Sequence, residues 1–285
     1  MSVAVVTFTC NESVNLPIWL RYYSANFGAK NLFVIDHGST DGSTDNLGDV
    51  NRILLPRTEF DELKKTGFIS SFHRSLLHHF DTVIYNDCDE IIVPDLSQYD
   101  SLSDYLSKRD FDYVTCVGLN VLHIMDRELP LDLDRPILQQ RSYARFFSST
   151  CKTVISRVPI KWMAGIHSCD KLPQIDPQLF LFHTKTMDYS IAVRRHRDLR
   201  EIEWSQKCVD EHLGDHFRYD IPRFVRESFL DPMNSVSNGQ VGPCEFSEEI
   251  AQILSETHEE AGIFFKIPMN IWKVVEIPEQ LKGAF

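Results

Sequence analysis

The sequence predicts an α/β protein with a mostly parallel central sheet flanked by helices, and an α+β extension behind it. Two observations carry this prediction. Over the first 93 residues, short apolar runs alternate with segments of helical period, the pattern of β-α-β units. Three of those runs stop abruptly in polar clusters, TCNE, DHGSTDGSTD and NDCDE. Ligands of a parallel sheet bind beyond the carboxyl ends of its strands, and that is where such clusters fall.

Each element has its own warrant. Residues 3–8 (VAVVTF) are continuously apolar, as in a strand buried on both faces. A helix is expected over 11–27: Pro17 suits its first turn, Leu16, Leu20, Tyr23 and Phe27 recur at helical spacing, and Gly28 can end it. Residues 31–36 (NLFVID) read as a second buried strand, 38–42 as a turn, 43–47 as a short helix and 52–55 as a third strand. Residues 68–80 are expected to be helical and 82–86 to form the fourth strand. Beyond residue 94 the pattern is irregular. Helices are expected over 101–108, 190–212 and 247–260, with strands over 113–122, within 144–158 and over 179–183.

The chain has 285 residues, 43% hydrophobic and 25% charged, enough for one large domain. Acidic residues outnumber basic ones by 41 to 29, a net charge of −12, which argues against a nucleic-acid partner. No apolar run approaches the roughly 20 residues of a membrane-spanning helix. The N-terminus lacks the basic leader of a signal peptide. Seven scattered cysteines without a CxxC pair suit reduced thiols, so a cytoplasmic location is expected. The basic stretch VRRHRDLR (193–200) places Arg194, Arg195, Arg197 and Arg200 on a predicted helix. It reads as a solvated face, or as a contact with an anionic acceptor or an anionic membrane surface.

The most informative stretch is IYNDCDEIIV (84–93), three carboxylates set between apolar runs. In extended backbone, side chains i and i+2 point the same way, so Asp87 and Asp89 can face one point. Two convergent carboxylates in a low-dielectric cleft are unfavourable unless a cation joins them. Mg²⁺ or Mn²⁺ takes one or two carboxylates and completes its shell with substrate phosphate oxygens. A divalent ion and a nucleotide diphosphate are therefore the expected partners. The other polar clusters also suit turns and caps, since Asn11 or Ser13 could cap a helix.

TFTCNE, a strand ending in DHGSTDGSTD, and YNDCDEIIV together resemble the nucleotide-sugar half of the glycosyltransferase A-type fold, in particular family-2-like glycosyltransferases with a D-x-D-E motif. KWMAGIHS and LFLFHTKTMDYS resemble the downstream His-containing segments of such enzymes. The resemblance covers residues 3–95 well and 141–200 loosely. It implies a donor half over 1–110, an acceptor half over 111–245 and a helical tail over 246–285. It implies that Thr9, Asn11 and Glu12 line the base and ribose pocket, that Asp36 contacts the base, and that Ser39 and Asp41 shape that pocket. Asp87 would sit by ribose and metal, and Asp89 would ligate the metal. His167 or His183 would complete the metal shell. Lys152, Lys185 and Arg145 are candidates for neutralising the diphosphate. An acceptor base is sought among Glu90, Asp170 and Asp188. The implied reaction transfers a sugar from a UDP-sugar to a glycan, glycolipid or other hydroxyl acceptor. A catalytically inactive glycan- or nucleotide-binding homologue is the alternative. A nucleotidyltransferase fits less well, because the loop after the first strand lacks Gly and Lys.

Overall fold

A computed structural model of the chain describes residues 1–265 and 271–285. The apolar runs become strands β1 (Val3–Thr9), β2 (Leu32–Asp36), β3 (Asn51–Leu54) and β4 (Thr82–Tyr85). They lie side by side in the order β3-β2-β1-β4, all parallel. The chain leaves β1 toward β2 on one side and later returns to β4 on the other. The switch point therefore falls between the carboxyl ends of β1 and β4, which is where a crevice opens in such sheets.

The extension continues the same sheet. Strands β6 (Tyr113–Val121), β7 (Tyr143–Phe147) and β8 (Thr153–Ser156) follow from β4 in the order β4-β8-β6-β7, and β12 (Trp272–Glu276) closes that edge. Strand β9 (Ile175–His183) lies between β6 and β5 (Glu90–Pro94). By their pairing, β1, β2, β3, β4, β6, β9 and β12 run one way and β5, β7 and β8 the other. The α/β class with a mostly parallel central sheet stands as predicted. The shared direction has a consequence for function: β1, β4, β6 and β9 all end on one edge.

Helices cover this sheet. Helix α1 (Asn15–Phe27) packs on β1, β2 and β5, α2 (Glu62–Leu76) on β4, and α3 (Leu102–Lys108) on β5. Trp19 and Tyr23 of α1 are fully buried, and the Tyr23 hydroxyl accepts the Ile92 amide at 3.0 Å. This ties α1 to the strand that follows the acidic motif.

Several local expectations are corrected. Helix α1 starts at Asn15, not residue 11, because Asn11 adopts a left-handed backbone (φ 57°) and its Oδ1 accepts the amides of Thr40 and Asp41. Residues 43–47 form turns rather than a helix. Helix α2 begins earlier than expected because Asp61 caps it, accepting from Leu63 N and Lys64 N at 2.9 Å. The long helix expected over 190–212 splits into α4 (Tyr189–Arg200) and α5 (Gln206–Asp210). The intervening backbone is diverted to Phe60, whose amide donates to Glu203 O and whose carbonyl accepts Ser205 N. Helices α6 (Ile221–Val225) and α7 (Asp231–Ser237) are joined by a π-helical turn, Arg226–Leu230. The segment expected as a helical tail contains α8 (Ser247–Glu256), then a hairpin, β10 (His258–Glu260) and β11 (Ile263–Phe265), and then edge strand β12. No helix among the described residues is long and apolar enough to cross a membrane.

Candidate active site

At the carboxyl ends of β1 and β4 lies a cavity of about 470 Å³, within the range of small-molecule sites. The acidic motif forms part of its wall. The chain turns sharply between β4 and β5, and Asn86, fully buried, holds the turn through the Tyr23 hydroxyl and the Glu90 carbonyl. Asp87, Asp89 and Glu90 then point into different surroundings.

Asp87 accepts from the Tyr85 hydroxyl at 2.9 Å and lies 3.2 Å from Lys65 Nζ and 3.4 Å from Lys152 Nζ. Burial opposes its charge, but the two ammonium groups hold its carboxyl well below the usual range. Glu90 is 1% exposed. Its Oε1 is 2.5 Å from Lys152 Nζ, and its Oε2 accepts the Asp87 amide at 3.3 Å. Burial pushes its carboxyl upward against the pull of Lys152. Glu90 is thus the anchor of Lys152, which leaves it poorly placed to take a proton from an acceptor.

Asp89 faces the other way. Its Oδ2 lies 3.0 Å from Arg195 Nη1 and 3.2 Å from His183 Nε2. Burial opposes ionisation, yet Arg195 and then His183 keep the carboxyl well below its ordinary range. Arg195 also donates from Nε to Glu12 Oε1 at 2.7 Å, so one guanidinium joins the ends of β1 and the acidic turn. His183 Nδ1 meets Asn120 Oδ1 at 3.0 Å. Neighbouring strands β5, β9 and β6 make this possible: Glu90 stands opposite His183, and His183 beside Asn120, in the ladders.

The cavity brings together Thr9, Glu12, Asp87, Asp89, Glu90, Lys152, His167, His183 and Lys185 from the predicted set. Lys185 is half-buried, and burial pushes its ammonium down to about 8. Among the described residues it has no ion pair or hydrogen bond, only the Phe217 ring 5.0 Å away. His167 lines the wall with Nδ1 2.7 Å from the Ser149 carbonyl. Asp87, Asp89, His167 and His183 do not converge as one ligand set: no cluster of three or more His, Cys, Asp or Glu suited to a metal occurs among the described residues. Asp87 is drawn off by its two lysines, which leaves Asp89 and His183 as a pair.

Other predicted residues lie outside the cavity. Asp36 is fully buried, accepting from Ser39 N, Thr44 Oγ1 and Arg52 Nε at 2.8, 2.8 and 3.0 Å. It braces the loop after β2, while its neighbour His37 and Arg57 line the cavity. Asn11, Ser39 and Asp41 are engaged in the same loop: Ser39 Oγ accepts the Asn11 amide, and Asp41 accepts the amide of Ser43. Asp188 caps α4, accepting from Ser190 N and Ile191 N, and is buried beside Arg141. Asp170 accepts the Lys161 amide and pairs with Lys171. Neither is placed to act as a base here. Arg145 belongs to a second cavity.

Lys65, Arg195, Arg57 and Asn120 were not singled out as site residues. Arg195 was visible only as part of a basic stretch. The fold turns it inward, while Arg194, Arg197 and Arg200 stay exposed. The i, i+1 phase between Arg194 and Arg195 on a helix was the one local signal that they face differently.

No family model matches the chain, and no curated protein matches it. Among solved structures, a mycobacterial protein is 17% identical at a TM-score of 0.27, covering 45% of this chain and 44% of its own length. The mannose-1-phosphate geranyltransferase of Thermus thermophilus is 10% identical at a TM-score of 0.32, covering 70% of this chain and 62% of its own. The chain thus spans less than two thirds of either structure. Overlaps this slight leave the site's own geometry as the ground for a functional reading.

Proposed function

We propose that the protein is a metal-dependent glycosyltransferase that moves a sugar from a nucleotide-sugar donor, a UDP-sugar, to a glycan or other hydroxyl acceptor. The carrying observation is the Asp89–His183 pair on the wall of a nucleotide-sized cavity at the switch point of the sheet.

That pair fits a hard divalent ion. Two neighbouring ligands at about 2.1 Å from an octahedral cation stand roughly 3 Å apart, and Asp89 Oδ2 and His183 Nε2 are 3.2 Å apart. Asn120 takes Nδ1 and so turns Nε2 toward Asp89, the usual support of a metal-binding imidazole. No hydrogen bond reaches Asp89 Oδ1 from the described residues. Asp89 and His183 would hold Mn²⁺ or Mg²⁺, with substrate oxygens in the remaining positions. The ion would stabilise negative charge on the departing diphosphate.

The chain's own residues do the rest. Arg195 holds Asp89 ionised and ties it to Glu12, whose carboxyl burial pushes upward against the pull of the guanidinium. Lys152 and Lys65 neutralise Asp87 and Glu90, so the wall does not repel a diphosphate. Lys185, without an ion pair among the described residues, stands on the wall between this cavity and the second one. Phe8, His37 and Arg57 line the side of the cavity nearest β1 and β2, where the base would stack.

Calorimetric titration with UDP tests this reading. UDP should bind at least tenfold more tightly with Mn²⁺ than without, and Asp89→Asn should remove the difference. Equal affinity with and without metal would refute the metal role, and absence of any nucleotide binding would favour a non-catalytic homologue. Nucleotide release across UDP-, GDP- and CMP-sugars would identify the donor.

A further inference from the structure

A second cavity, about 560 Å³, adjoins the first. His167, His183, Lys185, His216 and Tyr219 line both and form their common wall. A group held in the second cavity therefore lies across His183 and Lys185 from a donor held in the first, on a side from which an acceptor could approach.

The chemistry of this cavity is specific. Arg145, on β7, reaches into it. Among the described residues its Nε is buried with no hydrogen-bond partner, its Nη1 donates only to the Glu227 carbonyl, at 3.4 Å, and the guanidinium lies 5.5 Å from the Phe147 ring centre. No ion pair to Arg145 occurs among the described residues. The nearby acids do not neutralise it: Glu227 is held by Arg223 at 2.8 Å, and Asp231 sits exposed at the rim. Lys185 is likewise unpaired among the described residues. Two cations facing one enclosed space repel each other and hold unmet hydrogen-bonding capacity unless an anion sits between them. Phe147 and Tyr219 supply aromatic wall beside them, suited to the face of a sugar ring. The wall is completed by the π-helical turn Arg226–Leu230, a distortion that is common at functional sites.

We propose that this second cavity receives the acceptor and selects one carrying an anionic group, a carboxylate or a phosphate, bound between Arg145 and Lys185. The assignment of the ligand as acceptor rests on the glycosyltransferase reading; the anion site itself does not. A hydroxyl of a neutral acceptor could accept from Arg145 Nε but would leave both cations unbalanced, whereas an acidic group balances them as well.

The test is titration of the full chain, with Mn²⁺ and UDP present, using methyl glucuronide, glucose 6-phosphate and neutral methyl glucoside. At least one acidic probe should bind tenfold or more tightly than the neutral one. The tighter of the two acidic probes distinguishes carboxylate from phosphate as the source. Arg145→Gln should abolish the preference and leave UDP affinity within twofold, while Arg145→Lys should keep part of it. No preference for acidic probes in the unaltered protein would overturn the proposal, even if the variants fold poorly. So would an Arg145→Gln variant that weakens UDP as much as the acidic probe, since the cation would then serve the donor. Acidic-probe binding without any UDP binding would leave the anion site standing and sink the glycosyltransferase reading. UDP binding without the preference would do the reverse.

Discussion

Replacing Lys152 with methionine removes the cation shared by buried Glu90 and half-buried Asp87. Lys152 Nζ lies 2.5 Å from Glu90 and 3.4 Å from Asp87, with 4% of the lysine side chain exposed and 2% of the glutamate. Asp87 keeps Lys65 at 3.2 Å and the Tyr85 hydroxyl. Among the described residues Glu90 keeps only the Asp87 amide as a hydrogen-bond donor to its carboxylate. One charge, not two, is therefore left uncompensated. Breaking a buried pair from one side costs about 3–5 kcal/mol, and the lower end, about 3 kcal/mol, applies here. With a urea slope of about 3 kcal/mol per M, the unfolding midpoint should fall by roughly 1 M. The deficit should depend on pH. Burial already raises Glu90 above its unfolded value, and loss of Lys152 raises it further. A carboxyl raised in the folded state is tolerated while protonated and costs stability as pH rises through its folded value. The deficit should thus be larger at pH 8 than at pH 5. A midpoint unchanged at pH 8, or an equal deficit at both pH values, would show that Lys152 does not neutralise Glu90.

Other perturbations give distinct expectations. Arg195→Met strips Glu12 and Asp89 of their shared cation and should cost about 3–5 kcal/mol in calorimetry, with Arg195→Lys less damaging; an unaffected Tm would contradict the bridge. His73 is buried and its imidazole is pushed down from 6.5 to about 4, so the folded state resists its protonation. Stability present above pH 6.5 should fall by about 3 kcal/mol as pH drops to 4, and His73→Phe should flatten that part of the profile. Identical profiles for the two proteins would rule this out. In Gly118→Ala the new Cβ would overlap the Thr150 backbone, where the chain between β7 and β8 presses on β6. A loss of about 1–3 kcal/mol or more is expected from thermal unfolding, and a neutral result would mean that the crossing can widen.

Much of the parallel half of the sheet was legible because it is written in local patterns. Apolar runs such as 3–8 and 82–85 are too short for an ordinary helix and suit strands buried on both faces, and the abrupt change to NDCDE marks where the strand ends. What misled was chemistry that turns and sites share. Asp36 and Asp188 have the residue type and setting of site carboxylates, yet one braces a loop against Arg52 and the other caps α4. Nothing within a few residues of either separates the two uses. The helix expected over 190–212 failed for a related reason: residues 203–205 are bonded to Phe60, a partner over 140 residues away.

The sequence by itself determined the α/β class, the edge of the sheet that bears polar clusters, and the acidic motif as a place where positive charge must be supplied. Repulsion between close carboxylates is a local fact and can be read without coordinates. Which cations answer it is not. Lys65, Lys152 and Arg195 come from α2, the strand region before β8 and α4, and only the sheet order, with β9 between β5 and β6, sets His183 against Asp89. Charge pairing carries no sequence period, and its partners are chosen by whichever elements the packed sheet brings within a few ångströms.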